Sequence, residues 1–349
     1  MLSVTSLVVQ TGQRLLGTAF DKATEQLVET MWARVVEPAL ERRLGTLNPV
    51  AMSAATQSTV EFLCRLAVRV EDLERQVSTP GALMERAVRS PDASATLQDA
   101  AVAAARAESD LARDVLVEAI VERLRAEPES EAAVASKQAV EAVPRLARRH
   151  LELLGILTLL YAIRPEGLAT PPPVGSAAAE SPEMRARLRA YFPWLQGALA
   201  AYNLTGRMTE REGAHLDSTG VITFGRLYRR DLSRLLTPLD PNRGYRTPEA
   251  IATYNQVQQF LGMRGGDGRA LVNLWQNGLE RAAPTPAGAL IGWAVHRHKC
   301  GIQPGVVFGD PWAAAESITE EPRQPSAHEL AEAVRAEARQ TMRAGGEWP

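Results

Sequence analysis

The hydrophobic positions in the first part of the chain recur at three- and four-residue steps, which is the spacing of one face of an amphipathic α-helix. The pattern predicts a long helix over residues 13–43, kinked or ended at Pro38, and a second helix over 50–77. A third helix is predicted to begin at a cap formed by Ser109 or Asp110. The first part of the chain is therefore predicted to be helical.

The apolar pattern changes between Leu151 and Ile163, where only Glu152 is charged. A helix of this length spans about 20 Å, which is shorter than the hydrocarbon core of a bilayer at about 30 Å. We therefore predict a buried central helix over residues 144–163. A helix that is apolar on all sides has no face for solvent. The side chains expected to be among the most buried are Leu153, Leu154, Ile156, Leu157, Leu159 and Leu160.

Proline and alanine interrupt the helical pattern at 165–182, where we predict a linker between a helical domain (1–164) and a second region (183–300). The second region is predicted to be helical, with one short strand over 221–225. Residues 301–349 are predicted to form a loop and a C-terminal helix that begins at Ser326, since Glu329 gives the spacing of a capping box. The predicted fold class is mainly α.

The order helix, strand and helix in the second region is also typical of a winged-helix domain. The first helix ends at 214–220, and a Thr-Pro-x-Gly sequence over 285–288 begins the last one. A basic stripe on a predicted helix over 226–236 is suited to phosphates. It consists of Arg226, Arg229, Arg230 and Arg234. About sixty residues intervene where a wing needs about ten, so DNA binding is the alternative and not the preferred interpretation.

Composition changes this picture little. Hydrophobic residues make up 45% of the 349 residues and charged residues 23%, which excludes a wholly disordered chain. A net charge of −2 argues against a general nucleic-acid binder. Cys64 and Cys300 lie far apart and indicate no disulfide framework, so we expect a cytoplasmic protein. No apolar stretch is long enough to predict a transmembrane helix.

The candidate chemistry lies near the end of the last well-defined helix. His296, His298 and Cys300 are potential metal ligands within five residues. Residues two apart on a helix point about 200° away from each other, so a polar helix C-terminus is the preferred interpretation. No motif identifies catalytic or cofactor-binding residues, and the glycine-rich loop at 262–268 lacks the Lys-Ser/Thr of a phosphate loop. An enzyme with an unrecognised site remains an alternative.

Two features of the N-terminal region concern partners. Residues 1–20 carry one charge, Arg14, and are a candidate for membrane contact, but they lack a basic face, so core packing is preferred. The apolar stripe of the 13–43 helix is wide, whereas residues 1–150 hold only three aromatic side chains. A second chain would supply the missing cover. We therefore predict a homo-oligomer, with an interface at Trp32, Val28 and Val36.

Four short blocks of the chain carry a resemblance to a known group of proteins. They are Ser109–Leu124, Leu151–Gly155, His215–Ile222, and Leu274-Trp275 followed by Pro284–Gly292. Together they resemble a family of uncharacterised bacterial helical proteins and, more remotely, are similar to the abortive-infection alpha group. Pro284 and Pro286 depart from the family's pattern. The resemblance spans roughly 105–300 and implies a cytoplasmic bacterial protein encoded among phage-resistance genes, without catalytic residues to transfer.

The resulting hypothesis is a non-enzymatic interaction protein that acts as a sensor or effector in bacterial anti-phage defence. Three structural features discriminate it from the alternatives. A contiguous arginine face over 226–234 would favour a DNA-binding regulator. A deep pocket holding two titratable groups would favour an enzyme, and exposed leucines near the N-terminus would favour a protein partner or a membrane.

Overall fold

The chain is mainly α-helical in the computed structural model, which describes residues 4–17, 21–77, 82–170, 172–225, 229–240, 242, 244–301, 303 and 306–308. The elements in the N-terminal part are α1 Val4–Leu16, α2 Lys22–Met31, a π-helical turn Trp32–Val36, α3 Glu37–Leu44, α4 Pro49–Val77, α5 Ala82–Arg89, α6 Pro91–Arg106, α7 Asp110–Arg125, α8 Glu131–Ala142, a 3-10 turn Val143–Arg145, and α9 Arg148–Tyr161.

The elements that follow include four short strands. They are β1 Ile163–Pro165, α10 Pro182–Ala200, α11 Glu210–Ser218, β2 Ile222–Phe224, α12 Leu232–Leu236, α13 Pro248–Gly262, α14 Gly266–Gln276, a 3-10 turn Leu279–Arg281, β3 Ala282–Pro284, α15 Pro286–Cys300 and β4 Val306–Phe308. The predicted C-terminal helix from Ser326 lies outside the described residues.

Side-chain caps explain where several of these helices begin. The hydroxyl of Ser109 accepts a hydrogen bond from the backbone N–H of Ala112 at the start of α7, which confirms one of the two predicted caps. Thr285 caps α15 in the same way through the N–H of Gly288. Polar residues at these positions satisfy N–H groups that the helix itself leaves without an acceptor.

The predicted helix over 13–43 is not continuous. Gly17 has a φ of 53°, and the carboxylate of Asp21 accepts a hydrogen bond from the backbone N–H of Thr24, so a new helix begins there. The π-helical turn then leads into α3. Pro38 has no N–H and its ring would crowd the carbonyl of Arg34, and a widened turn relieves both effects.

The central helix α9 is buried as predicted, but it is shorter than the predicted range of 144–163. It begins at Arg148, because residues Val143–Arg145 form a separate 3-10 turn, and it ends at Tyr161. All six of its predicted core side chains are at most 3% exposed. The helix that covers it is α15, which also packs against α7 and α8. Two glycines allow this close approach, because a Cβ at Gly292 would meet Thr158 and the carbonyl of Leu154, and one at Gly155 would meet side chains of α15 and α10–α11. The last helix of the predicted second region is thus part of the first region's core.

Residues 165–182 do not separate two cores. One hydrophobic core contains side chains from both sides of this stretch, such as Leu116 and Val295. The stretch is also attached to the rest of the chain. β1 pairs with β4 in an antiparallel register that places Ile163 opposite Phe308, and the hydroxyl of Tyr245 donates to the carbonyl of Pro172.

The predicted strand over 221–225 is present as β2, and its partner is β3, which directly precedes α15. The register places Ile222 opposite Pro284. Three helices, α12, α13 and α14, lie between β2 and β3 in sequence. The two strands are therefore not the sequence-adjacent strands of a wing.

Candidate functional site

A cleft of about 430 Å³ lies between α4, α7, α15 and the segment that leads to β4. This volume falls in the range of small-molecule sites. We call it the arginine cleft, because three arginines lie on its wall beside two glutamates and several apolar side chains. The lining residues are Arg69, Glu118, Val121, Glu122, Arg125, Leu290, Trp293, His296, Arg297, Gly301, Gln303, Val306 and Phe308.

Glu118 of α7 joins the three helices that form the cleft. Its Oε1 accepts a hydrogen bond from Nε of Arg69 in α4 at 3.1 Å. Its Oε2 accepts one from Nη1 of Arg297 in α15 at 2.5 Å. Both oxygens of this carboxylate are therefore engaged by guanidinium groups, and charge-assisted bonds of this kind hold the wall in place.

The pairing continues away from the cleft at the spacing of one helical turn. On α7, Asp114 precedes Glu118 by four residues and accepts from Arg65 of α4 at 2.5 Å. The second oxygen of Asp114 lies 2.5 Å from Nδ1 of His298 in α15. Carboxylates on α7 thus lie between cations on α4 and α15, an arrangement that fixes the relative position of the three helices.

Arg125 is the most exposed cation on the cleft wall. Its side chain is 57% exposed, and its contact with Glu122 is a 3.6 Å pair between neighbouring turns of α7. Pairs of this kind contribute little to stability. The described lining residues hold three guanidinium groups against two carboxylates, so the cleft has an excess of positive charge.

His296 is the buried polar group of the cleft. It is 1% exposed, its Nδ1 lies 3.1 Å from the hydroxyl of Tyr202, and its Nε2 has no hydrogen-bond partner among the described residues. Burial lowers the pKa of this imidazole to about 4, so it is neutral at pH 7. A buried nitrogen without a partner is unusual in folded proteins and marks a place where a ligand or water can bind.

Four aromatic rings form a nearly parallel row, and three of them, His296, Trp293 and Phe308, line the cleft. The ring of His296 lies 6.2 Å from that of Tyr202 at 18°, and 6.0 Å from that of Trp293 at 15°. Phe308 continues the row at 5.2 Å from Trp293 and 9°. The lining of the cleft therefore combines apolar, aromatic side chains with cationic ones.

The three candidate metal ligands do not converge. His296 contacts Tyr202, His298 contacts Asp114, and Cys300 is half-buried at the end of α15. Over the part of the chain that the structure describes, no group of three or more potential metal ligands occurs. The helical divergence expected at a spacing of two residues is what keeps the three apart.

The predicted arginine stripe is not a helix face. Arg226 lies outside the described residues, and α12 begins only at Leu232, because the carboxylate of Asp231 caps it. The predicted helix over 226–236 is therefore wrong at residues 229–231, which precede α12 and are not helical. Arg229 pairs with Glu280 at 3.4 Å, and the guanidinium of Arg230 lies 5.5 Å from the ring centroid of Tyr161.

Arg234, the last member of the stripe, lies 3.8 Å from Asp231 at the surface. Each of the three described arginines of the stripe thus has a partner within the chain.

The predicted interface residues are covered by the chain itself. Val28 and Val36 are fully buried, and Trp32 is 7% exposed. A second chain is therefore not needed to cover these side chains. The homo-oligomer stays a prediction, and the burial of these three residues does not support it.

The N-terminal segment was the candidate for membrane contact. Its helix α1 packs against α4, with Val8 fully buried. Among the described helices, none has the length and apolar character to cross a membrane.

The cleft is the feature that the sequence pattern did not reveal. Its cations and carboxylates come from three helices that are far apart in sequence, and spacing along the chain does not bring Arg69 and Arg297 together. One local signal was present. Trp293 and His296 lie three residues apart on α15, the separation at which side chains on a helix meet.

Comparison with known proteins adds one finding. The model of an uncharacterised protein family, to which no activity is assigned, matches residues 46–171. The match includes α4, α7 and α9, and therefore the side of the cleft that carries Arg69, Glu118 and Arg125, but not α15. No curated protein and no solved structure matches the chain.

Proposed function

We propose that this protein is a sensor that binds a small organic anion in the arginine cleft and acts through contacts with other macromolecules. The observation that carries this proposal is the position of His296. Its buried Nε2 has no hydrogen-bond partner among the described residues and lies in a cleft whose described wall has more guanidinium groups than carboxylates. A ligand with acceptor oxygens would satisfy the nitrogen and balance the charge together.

The aromatic side of the cleft favours an organic anion over an inorganic one. Leu290, Trp293 and Phe308 offer apolar surface in the same cleft as the guanidinium groups. Small-molecule sites commonly combine such a wall with a few polar groups that fix the orientation of the ligand. An aromatic or aliphatic molecule that carries a phosphate or carboxylate matches both the apolar and the cationic side chains of the cleft.

Binding is favoured over catalysis because the Glu118 carboxylate and the Nδ1 of His296 are already engaged. Glu118 accepts hydrogen bonds from two arginines, so both oxygens of its carboxylate are occupied. His296 is neutral, but its Nδ1 is occupied by Tyr202. Proton-transfer chemistry needs a free base within reach of the reacting group, so the enzyme alternative has less support than binding.

A role in anti-phage defence is part of the same proposal and rests on the resemblance described above. The test is a phage challenge of bacteria that express the wild-type chain or a cleft variant, Arg125→Gln. Protection by the wild type that is lost with Arg125→Gln supports a defence sensor that uses the cleft. Equal phage titres with and without the wild-type chain would contradict the defence role.

Ligand binding is tested with phenyl phosphate and benzoate as probes in thermal denaturation and calorimetry. We expect phenyl phosphate to raise the melting temperature, because a ligand that binds only the folded chain stabilises it. Arg125→Gln should weaken binding about tenfold, by removal of one charge-assisted contact.

Arg234→Gln is the matched control, since Arg234 and Asp231 form a surface pair of the same spacing away from the cleft. It should leave probe binding unchanged and would reduce DNA binding if the stripe were a DNA contact. Absence of binding for both probes, or equal losses in the two variants, would refute the proposed site.

A further inference from the structure

We propose that Tyr202 holds the His296 imidazole as its Nε2–H tautomer, so that the cleft presents a neutral N–H donor to an acceptor oxygen of its ligand. The inference deepens the proposed function and rests on it for the identity of the acceptor. Tyr202 is a positioning residue in this arrangement, because it acts on the ligand through His296.

The first step concerns the hydroxyl group of Tyr202. The side chain is 6% exposed, and the only partner that the described residues give its hydroxyl is Nδ1 of His296 at 3.1 Å. Burial raises the pKa of this phenol well above 10, so the oxygen keeps its proton at neutral pH. The hydroxyl is therefore a donor that needs an acceptor.

The second step compares the two neutral tautomers of His296. With the proton on Nε2, Nδ1 accepts from the Tyr202 hydroxyl, and only the Nε2–H is without a partner among the described residues. With the proton on Nδ1, both the hydroxyl proton and the Nε2 lone pair lack a partner. A buried polar group without a partner is unfavourable. The Nε2–H tautomer leaves fewer such groups and is favoured.

The third step is that the two rings have little room to rearrange. The ring of Tyr202 packs on α9 so closely that a Cβ at Gly155 would meet its Cε1 at 2.8 Å. The ammonium group of Lys299 lies 5.6 Å from the centroid of the same ring. On its other side, His296 stacks on Trp293. The imidazole is thus held between two aromatic rings, and its hydrogen-bond geometry is preorganised.

The consequence is a preference among ligands. Guanidinium groups and an Nε2–H are all donors, so the site discriminates in favour of groups that offer only acceptor oxygens, such as phosphate and carboxylate. An amide or amine of the same shape would direct its own N–H groups at these donors. We expect phenyl phosphate and benzoate to bind, and benzamide and benzylamine to bind at least about tenfold more weakly.

The tautomer is measured without any ligand, by ¹⁵N NMR of the protein labelled in its histidines. The His296→Leu variant identifies the signals of His296. The expected spectrum shows a protonated Nε2 and an unprotonated Nδ1, and Tyr202→Phe should convert it to a mixture of tautomers. Circular dichroism checks that the variant keeps its fold, and the Tyr191→Phe variant serves as a control, since the Tyr191 hydroxyl donates to the carbonyl of Leu236.

A protonated Nδ1 in the wild type would overturn the inference, and so would an unchanged His296 spectrum in a folded Tyr202→Phe variant. If Tyr202→Phe does not fold, the wild-type spectrum alone decides the tautomer. The NMR result is independent of the proposed function. Failure of the probes to bind would refute the sensor while leaving the tautomer assignment in place.

The Tyr202→Phe variant should bind phenyl phosphate about tenfold more weakly than the wild type. The reason is that the imidazole no longer holds its proton on the nitrogen that faces the charged group. The loss should be larger for phenyl phosphate than for benzamide, because a charged phosphate oxygen forms a stronger hydrogen bond with a donor at Nε2 than the neutral amide carbonyl does. An equal loss for both probes would indicate a merely structural role for Tyr202.

Discussion

At the scale of the residue, several arginines at or near the core have particular partners within the chain. The guanidinium of Arg164 donates to the carbonyls of Leu159, Leu160 and Ile163, and to that of Leu235 beyond α12. Arg123 is nearly fully buried and pairs with Asp92 at the start of α6. Several other buried side-chain atoms, Nη1 of Arg123 among them, also lack a partner among the described residues, and the Nε2 of His296 is the one that belongs to the lining of the arginine cleft.

His296 makes stability depend on pH. Its pKa is about 4 in the folded chain and about 6.5 in an unfolded one. Between these values the unfolded state takes up a proton that the folded state does not, so stability should fall as the pH is lowered from 6.5 to 4. The full loss is about 3 kcal/mol.

Urea denaturation at several pH values between 4.5 and 7 measures this effect. The His296→Gln variant, whose side chain does not titrate, should show a smaller loss of stability over the same range. Identical slopes for the two proteins would contradict a buried neutral imidazole.

At the scale of the element, the contact between α9 and α15 depends on two glycines. A methyl group at Gly292 would overlap the Thr158 side chain and the carbonyl of Leu154. Gly292→Ala is therefore expected to destabilise the chain by roughly 1–3 kcal/mol through overpacking. Gly197 lies on the exposed side of α10 with nothing within 4 Å of its Cβ position. Gly197→Ala should be neutral or slightly stabilising, and equal melting temperatures for the two variants would contradict the close packing.

The apolar character of α9 gives a second prediction at this scale. Leu157→Asp places a carboxylate where the side chain is fully buried, which costs several kcal/mol, so loss of the cooperative thermal transition is expected. Val134→Asp is the control, because Val134 of α8 is half exposed. Circular dichroism melting compares the two, and a folded Leu157→Asp protein with an unchanged midpoint would show that α9 is not the core.

The helices were predictable because their signals are local. The Ser109 cap and the apolar run of α9 lie within a few turns of the residues they organise, and both predictions are confirmed. The start of a new helix after the Asp21 cap was missed because the apolar period of the sequence continues past this residue. The cleft was missed for a different reason, since the partners of Glu118 come from α4 and α15, and only the tertiary fold brings them to the same carboxylate.

At the scale of the whole molecule, the burial of Trp32 changes what the predicted homo-oligomer implies for variants of this residue. A homo-oligomer predicts a mass of at least twice 37.9 kDa in light scattering at micromolar concentration. Because Trp32 is covered by its own chain, Trp32→Glu should lower the melting temperature and the helical signal, and should not simply separate subunits. A 37.9 kDa species for the wild type would refute the oligomer, and dissociation of a stable, fully helical variant would place Trp32 at an interface after all.

The position of α15 has a consequence for how the protein is made. During synthesis α7, α8 and α9 leave the ribosome well before α15, which follows after on the order of 10 s at typical elongation rates. Until then the apolar surface of α9 that α15 covers has no native partner. Nascent chains that end before Pro286 should therefore bind chaperones and be protease-sensitive, whereas chains that extend past Cys300 should become resistant in one step.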